Sequence, residues 1–190
     1  MKTTSIMIVG VGGQGTLLAS KLLGSVLLGA GYDVKLSEVH GMSQRGGSVV
    51  TYVKYGDKVY SPIVDQGEAD YILSFEILES ARWISYLKEG GHLITNTQKT
   101  WPMPVITGAM AYPEGIVEKL TAMADVTAVD ALALAEQAGS AKAVNVVLIG
   151  VLSKRMDIPE AAWLKAIEET VPAKFLELNK KAFELGRQAG

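Results

Sequence analysis

The fold is decided by Ile6-Met7-Ile8-Val9-Gly10-Val11-Gly12-Gly13-Gln14-Gly15, a short apolar run that passes directly into a glycine-rich turn. Beyond the turn, Leu18, Leu22 and Val26 recur every four residues, as on one face of a helix. A strand, a glycine turn and a helix in this order begin a βαβ unit, and the turn has G-x-G-x-x-G spacing. The sequence therefore predicts an α/β protein.

The alternation of strands and helices continues along the chain. Residues 34–38 form the second predicted strand, which completes the βαβ unit with a right-handed crossover. Further strands are predicted at 48–55, 71–74, 92–97 and 126–129, and helices at 77–89, 114–123 and 131–137. Gly56-Asp57 predicts a turn into a hairpin with residues 58–60, and a short strand is expected near Met110.

The pattern changes after Gly139. Residues 144–152 are apolar nearly all round and predict a buried helix, and Pro159 and Pro172 stand where two further helices begin. The apolar stripe of the last helix is predicted at Phe175, Leu178, Ala182 and Leu185. We expect a Rossmann-like, doubly wound, mostly parallel sheet with helices on both faces. It forms a single domain over residues 1–190, with a helical C-terminal tail from about residue 145 that packs on the sheet.

The composition excludes several function classes. The 190 residues carry a formal charge of -2 with no basic run, which argues against binding to nucleic acid or to an anionic membrane. The chain has no cysteine, so it can ligate no iron–sulfur cluster or thiolate zinc, and its two histidines predict no metal site. No G-x-S-x-G motif is present, and no catalytic residue is predicted. The apolar run before Gly10 is too short for a signal or membrane segment, so we expect a cytoplasmic protein.

The glycine turn is the first candidate binding site. Glycines allow positive φ and close backbone approach, and the start of a helix offers free N–H groups to a phosphate. The free N–H groups are expected at the helix start, from Gln14 to Leu17. Alternatively, the turn only lets the first helix pack tightly on the sheet. A dinucleotide site would also need a carboxylate at the end of the second strand, where Glu38 stands, but the long polar loop that follows is unlike such folds.

The loop at residues 40–47 is the second candidate. Its glycines surround Ser43, Gln44 and Arg45, whose hydroxyl, amide and guanidinium groups suit a phosphate or a carboxylate. Alternatively, Arg45 pairs with a nearby carboxylate such as Glu38, and the loop contacts another subunit.

Two strings, Gly10-Val11-Gly12-Gly13-Gln14-Gly15 and Met42-Ser43-Gln44-Arg45-Gly46-Gly47, carry a resemblance to a known family. Over residues 5–187 the chain resembles the gamma-type subunit of the 2-oxoacid:ferredoxin oxidoreductases, and especially of members that oxidise indolepyruvate and other arylpyruvates. The resemblance implies a complex that oxidatively decarboxylates a 2-oxoacid to an acyl-CoA and reduces ferredoxin. It also implies that thiamine diphosphate and iron–sulfur clusters lie on a large partner subunit. The absence of cysteine and of a Gly-Asp-Gly string agrees with that division.

By the same resemblance, this subunit binds no cofactor alone, is inactive alone, and lies on the coenzyme A side of the active site. The implied contacts are the backbone and hydroxyl donors of Gly12, Gly13, Gln14, Gly15 and Thr16 and the side chains of Ser43, Gln44 and Arg45. Two alternatives stay open: an independent Rossmann nucleotide-binding protein, and a purely structural subunit whose loops dock the thiamine partner. The isolated chain could also form a homodimer through residues 144–152.

Overall fold

The computed structural model describes residues 3–38 and 42–190, and its centre is a six-stranded sheet. The strands are β1 (Thr4–Val11), β2 (Asp33–Glu38), β3 (Ser48–Gly56), β4 (Ala69–Ser74), β5 (Leu87–Asn96) and β6 (Asp125–Val129). The helices are α1 (Thr16–Gly29), α2 (Ile77–Trp83), α3 (Met103–Ile106), α4 (Ile116–Met123), α5 (Ala131–Ala138), α6 (Val144–Ser153), α7 (Glu160–Thr170) and α8 (Leu176–Ala189). No helix among the described residues is long and apolar enough to cross a membrane.

The sheet order is β2-β3-β1-β4-β5-β6. Strands β1, β4, β5 and β6 are parallel, whereas β3 runs antiparallel to both β1 and β2. The predicted α/β class and mostly parallel sheet are therefore confirmed. The expected βαβ unit is interrupted, because β3 inserts between β1 and β2 and pairs with β1 along its whole length. Strand β2, with Asp33, Lys35 and Ser37, takes the edge, where polar side chains are tolerated.

Three predicted elements are wrong. Residues 58–60 form no strand, because β3 already has a partner on each side and the Val59 N–H donates instead to the Asp33 carboxylate at 2.9 Å. Met110 lies in a bend, where its N–H donates to the Pro104 carbonyl oxygen at 3.0 Å. The helix predicted to reach Gly90 ends at Trp83, and β5 already begins at Leu87.

Helices cover both faces of the sheet, as predicted. One face packs against α1, α5, α6, α7 and α8, and the other against α2 and α4. Helix α6 is buried along its whole length, as predicted, so the expectation that the isolated chain dimerises through residues 144–152 is wrong. Helix α8 packs mainly on α6 instead of on the sheet, and it buries Asn179, Ala182, Phe183 and Gly186. Of the predicted stripe, Ala182 is buried and Leu178 and Leu185 pack partly buried against the core, whereas Phe175 precedes the helix and is 46% exposed. The α6–α8 contact is close because glycines face it on both helices: a Cβ on Gly186 would lie 2.0 Å from the Val147 carbonyl oxygen.

Candidate functional site

The glycine turn lies at the carboxyl end of β1, and the Gln14 side chain braces it from inside. The Gln14 Oε1 accepts the Val11 N–H at 2.8 Å, and its Nε2 donates to the Phe75 carbonyl oxygen at 3.4 Å. The Gln14 N–H donates to the Val11 carbonyl oxygen at 3.2 Å. Both the backbone N–H and the carboxamide of Gln14 are therefore committed to the turn, and Gln14 can shape a ligand site better than it can donate to one.

The turn leaves several backbone N–H groups without an acceptor. Gly13 and Gly15 have φ values of 99° and 85°, a left-handed conformation that favours glycine, and Gly15 caps α1. Within residues 3–38 and 42–190, the N–H groups of Gly13, Gly15 and Thr16 have no acceptor. The first turn of α1 has no acidic residue. Donors at the positive end of a helix dipole favour an anion such as phosphate.

The loop around Ser43, Gln44 and Arg45 packs directly on the turn, so the structure brings the two candidate segments together. The Gly12 N–H donates to the Gly47 carbonyl oxygen at 2.9 Å. A Cβ on Gly12 would lie 2.3 Å from the Ser43 carbonyl oxygen and 2.3 Å from the Gln44 carbonyl carbon, so only glycine fits there. Ser43 and Gln44 are half-buried, whereas Arg45 is exposed. His40 and Gly41 of the predicted loop lie outside the described residues.

The turn forms the wall between two cavities. The first, of about 290 Å³, is lined by Gly12, Gly13, Gly15, Thr16, Leu17, Gln44, Val49, Val50 and Thr51. The second, of about 450 Å³, is lined by Gly13, Gln14, Gly15, Gln98, Leu132, Ala141, Lys142 and Val144. All five turn residues and Gln44 therefore line a cavity, whereas Ser43 and Arg45 line neither of these two.

The comparisons with known proteins agree with this architecture. The family model of pyruvate ferredoxin/flavodoxin oxidoreductase matches residues 5–189. The chain belongs to this family. It is 46% identical over 195 residues to "Indolepyruvate oxidoreductase subunit IorB" of Thermococcus kodakarensis, with 100% of this chain and 96% of that protein covered.

Two solved structures show the same fold. A pyruvate oxidoreductase subunit of Thermotoga maritima superposes with a TM-score of 0.77 at 24% identity, and 99% of this chain and 97% of that chain are covered. The 2-oxoglutarate:ferredoxin oxidoreductase of Magnetococcus marinus, solved with 2-oxoglutarate, coenzyme A and succinyl-CoA bound, superposes with a TM-score of 0.75 at 18% identity. All of this chain matches 31% of that longer chain.

In the present chain, Glu38 does not lie beside the glycine turn, where a carboxylate that binds a ribose would have to be. Strand β3 lies between β2 and the glycine turn's strand β1, and the Glu38 Oε1 accepts the Ser20 hydroxyl at 2.5 Å. The expected pairing of Arg45 with Glu38 is also absent: in the described part of the chain, Arg45 has no ion pair. The guanidinium group is therefore available to a ligand or to a partner subunit.

Sequence reasoning missed two polar residues beside the glycine turn, Lys142 and Asn145. Lys142 brings an ammonium group to the second cavity, just before α6 begins. Asn145 is 4% exposed, and its Nδ2 donates to the Gly15 carbonyl oxygen at 3.3 Å, which ties α6 to the turn. The available signal was the pair of polar residues, Lys142 and Asn145, at the start of an otherwise apolar helix.

Sequence reasoning also missed a buried carboxylate beside the turn. Glu76 follows β4, is 1% exposed, and accepts hydrogen bonds from the Thr100 N–H at 2.9 Å, the Tyr112 hydroxyl at 3.0 Å and the Glu79 N–H at 2.9 Å. Burial raises the pKa of Tyr112, and the negative charge of the nearby Glu76 raises it further. The tyrosine therefore stays protonated and donates to Glu76. Glu79 is buried as well and accepts the Ser48 hydroxyl at the start of β3.

The one histidine within the described residues lies at the other end of the sheet. The His92 Nδ1 is 2.8 Å from the Asp125 Oδ2, and its Nε2 is 2.9 Å from the Thr127 Oγ1. Burial lowers the pKa of His92, and the nearby Arg155 adds to that effect while the contact with Asp125 opposes it. His92 begins the core section of β5, at the edge opposite the glycine turn, so it takes no part in the candidate site. No group of metal-ligating residues occurs in the parts of the chain that the structure describes.

Proposed function

We propose that this chain is the small subunit of a ferredoxin-dependent 2-oxoacid oxidoreductase that converts indolepyruvate or another arylpyruvate to its acyl-CoA. The observation that carries the proposal is the contact between the glycine turn and the Ser43-Gln44-Arg45 loop, beside a cavity of about 290 Å³. The family membership and the name of the 46% identical relative support the reaction class and the substrate class. We take residues 1–190 as one domain of this type.

Coenzyme A fits the chemistry of this site. The molecule carries phosphate groups, and the Gly13, Gly15 and Thr16 N–H groups are directed donors at a helix start. Lys142 lines the second cavity together with Gly13 and Gly15, and it adds a positive charge there. Side-chain donors come from Ser43, Gln44 and Arg45 under this proposal, although Ser43 and Arg45 would reach the ligand only outside the two cavities.

The proposal divides the work between two subunits. Without cysteine these 190 residues cannot ligate an iron–sulfur cluster. Under the proposal the clusters and thiamine diphosphate lie on the large partner subunit, and ferredoxin is reached through the complex. Thiamine diphosphate supplies the electron sink for decarboxylation. This subunit holds coenzyme A, orients its thiol toward the partner's active site and excludes water from one wall of the cleft. The cytoplasmic location predicted from the sequence stays a prediction.

A second candidate function is docking alone, and the exposure of Arg45 outside both cavities favours it. Arg45→Ala in the complex with its large subunit separates the two roles. If Arg45 contacts coenzyme A, the KM for coenzyme A rises about tenfold or more while the complex still assembles. If the loop only docks, assembly weakens and the KM of the assembled enzyme is unchanged. Lys181→Ala, an exposed lysine on α8 with no ion pair among the described residues, is the matched control and should change neither quantity.

A further inference from the structure

Residues 101–110 expose an unusual number of large apolar side chains. Trp101, Met103, Ile106 and Met110 are 60%, 65%, 60% and 65% exposed, all within ten positions of one connection between β5 and α4. Single exposed apolar residues are ordinary, but a concentration of them on one segment marks an interaction site. We propose that this segment, the Trp101–Met110 surface, is where the thiamine-carrying large subunit docks. This inference rests on the proposed function.

The segment is anchored at both ends. Glu76 accepts the Thr100 N–H at 2.9 Å just before the segment and the Tyr112 hydroxyl at 3.0 Å just after it. The Lys99 ammonium lies 5.7 Å from the centre of the Tyr112 ring, which joins the two ends to each other. A buried carboxylate is costly unless its oxygens accept hydrogen bonds, and Glu76 accepts three.

Order also extends through the middle of the segment. Helix α3 occupies residues 103–106, and the Met110 N–H closes the following turn on the Pro104 carbonyl oxygen at 3.0 Å. The four apolar side chains are therefore displayed on a hydrogen-bonded scaffold. Such a surface loses little conformational entropy when a partner covers it, which favours binding.

The position of the segment indicates which partner covers it. It follows the carboxyl end of β5, next to the carboxyl end of β4 and on the same edge as the glycine turn. Gln98, which precedes it, lines the second cavity and accepts a hydrogen bond from the Asn96 side chain at 3.3 Å. Under the proposed function, the active site of the large subunit must lie near the thiol of coenzyme A, and therefore near the carboxyl ends of these strands. The Trp101–Met110 surface lies beside the second cavity at the same end of the sheet, so one partner could cover both.

The comparisons support a protein partner of this kind. In the Magnetococcus marinus structure the matching fold is only 31% of a longer chain, so there it is covalently joined to further protein. A stable interface covers roughly 800 Å² on each partner, and large apolar and aromatic side chains at its centre carry most of the affinity.

The test is Trp101→Ser/Met110→Ser in the chain co-expressed with the large subunit from the same genome. We expect affinity for the large subunit, measured by titration of the purified chains, to fall at least about tenfold. The control is Leu28→Ser/Met123→Ser, whose side chains are 61% and 69% exposed at the ends of α1 and α4, on the opposite edge of the sheet. The control should bind within about twofold of the unmodified chain.

Hydrogen–deuterium exchange of the unmodified chain tests the surface without any substitution. The amides of residues 101–110 should become protected in the complex, whereas those around Leu28 should not. Unchanged affinity of the Trp101/Met110 variant, or unchanged exchange of the segment, overturns the inference and leaves the proposed function standing. The inference is also overturned if the Trp101/Met110 variant no longer self-associates but still binds the large subunit. The surface would then bind a second copy of this chain. Failure of the unmodified chain to bind the large subunit would instead count against the proposed function.

Discussion

Gly12→Ala probes the contact on which the candidate site depends. The added methyl group would lie 2.3 Å from the Ser43 carbonyl oxygen and 2.3 Å from the Gln44 carbonyl carbon. Comfortable contacts begin near about 3.5 Å, so the loop would have to withdraw from the turn by about 1 Å. Both groups belong to the backbone, and no side-chain rotation can relieve the clash.

The free-energy cost of this substitution has two parts. Overpacking of a well-packed position costs about 1–3 kcal/mol, and breaking the hydrogen bond from the Gly12 N–H to the Gly47 carbonyl oxygen costs about 1 kcal/mol more. In a chain of this length, a loss of about 3 kcal/mol lowers the Tm by roughly 10 °C. Because the withdrawn loop also carries Gln44 away from the first cavity, the KM for coenzyme A should rise at least about tenfold.

Thermal unfolding of the isolated chain and steady-state kinetics of the complex measure the two effects. Gly29→Ala is the matched control, since a Cβ there meets nothing within 4 Å and the helical backbone accepts alanine, which should raise the stability by up to about 1 kcal/mol. A Gly12→Ala chain with an unchanged Tm would refute the packing of the loop on the turn. A lowered Tm with an unchanged KM for coenzyme A would support the packing of the loop on the turn, but it would contradict a contact between this loop and coenzyme A.

Two further predictions concern parts of the fold away from the site. Gly186→Ala would place a methyl group 2.0 Å from the Val147 carbonyl oxygen at the α6–α8 contact, so thermal unfolding should show a loss of about 3 kcal/mol or more; a change below about 1 kcal/mol would contradict this close packing. His92 has a pKa below the ordinary value of 6.5, so the unfolded chain binds a proton more readily than the folded one. Its contribution to stability is therefore complete above pH 6.5 and is lost as the pH falls below that value. Urea unfolding at about pH 7.5 and about pH 5.5 should show a larger loss for the unmodified chain than for His92→Gln, and equal losses would show that burial of His92 is not the cause.

The parallel part of the sheet could be predicted because its strands are apolar on both faces and are followed by turn residues. Residues 6–9 and 71–74 are such runs, and both form strands at the centre of the sheet. The place of β3 could not be predicted, since its pairing with β1 joins residues such as Ile6 and Val53 that are distant in sequence. The edge position of β2 was not predicted, although the polar residues that alternate along this strand are compatible with it.

The site was predictable where one segment forms it and unpredictable where distant segments meet. The free donors of Gly13 and Gly15 follow from local spacing, because a turn before a helix leaves them without acceptors. The inward role of the Gln14 side chain depends on Phe75, and the contribution of Lys142 depends on how α6 is placed against the turn. Neither neighbour is close in sequence, so no local pattern contained this information.

The central claim is tested most directly by coenzyme A-dependent oxidation of indolepyruvate, followed with viologen or ferredoxin as electron acceptor. The chain alone, its large subunit alone and the two together should be compared, with pyruvate as the competing substrate. We predict activity only when both chains are present, saturation with coenzyme A, and a preference for the arylpyruvate. Turnover or tight NAD binding by this chain alone would contradict the subunit function, and the glycine turn would then be an ordinary dinucleotide site.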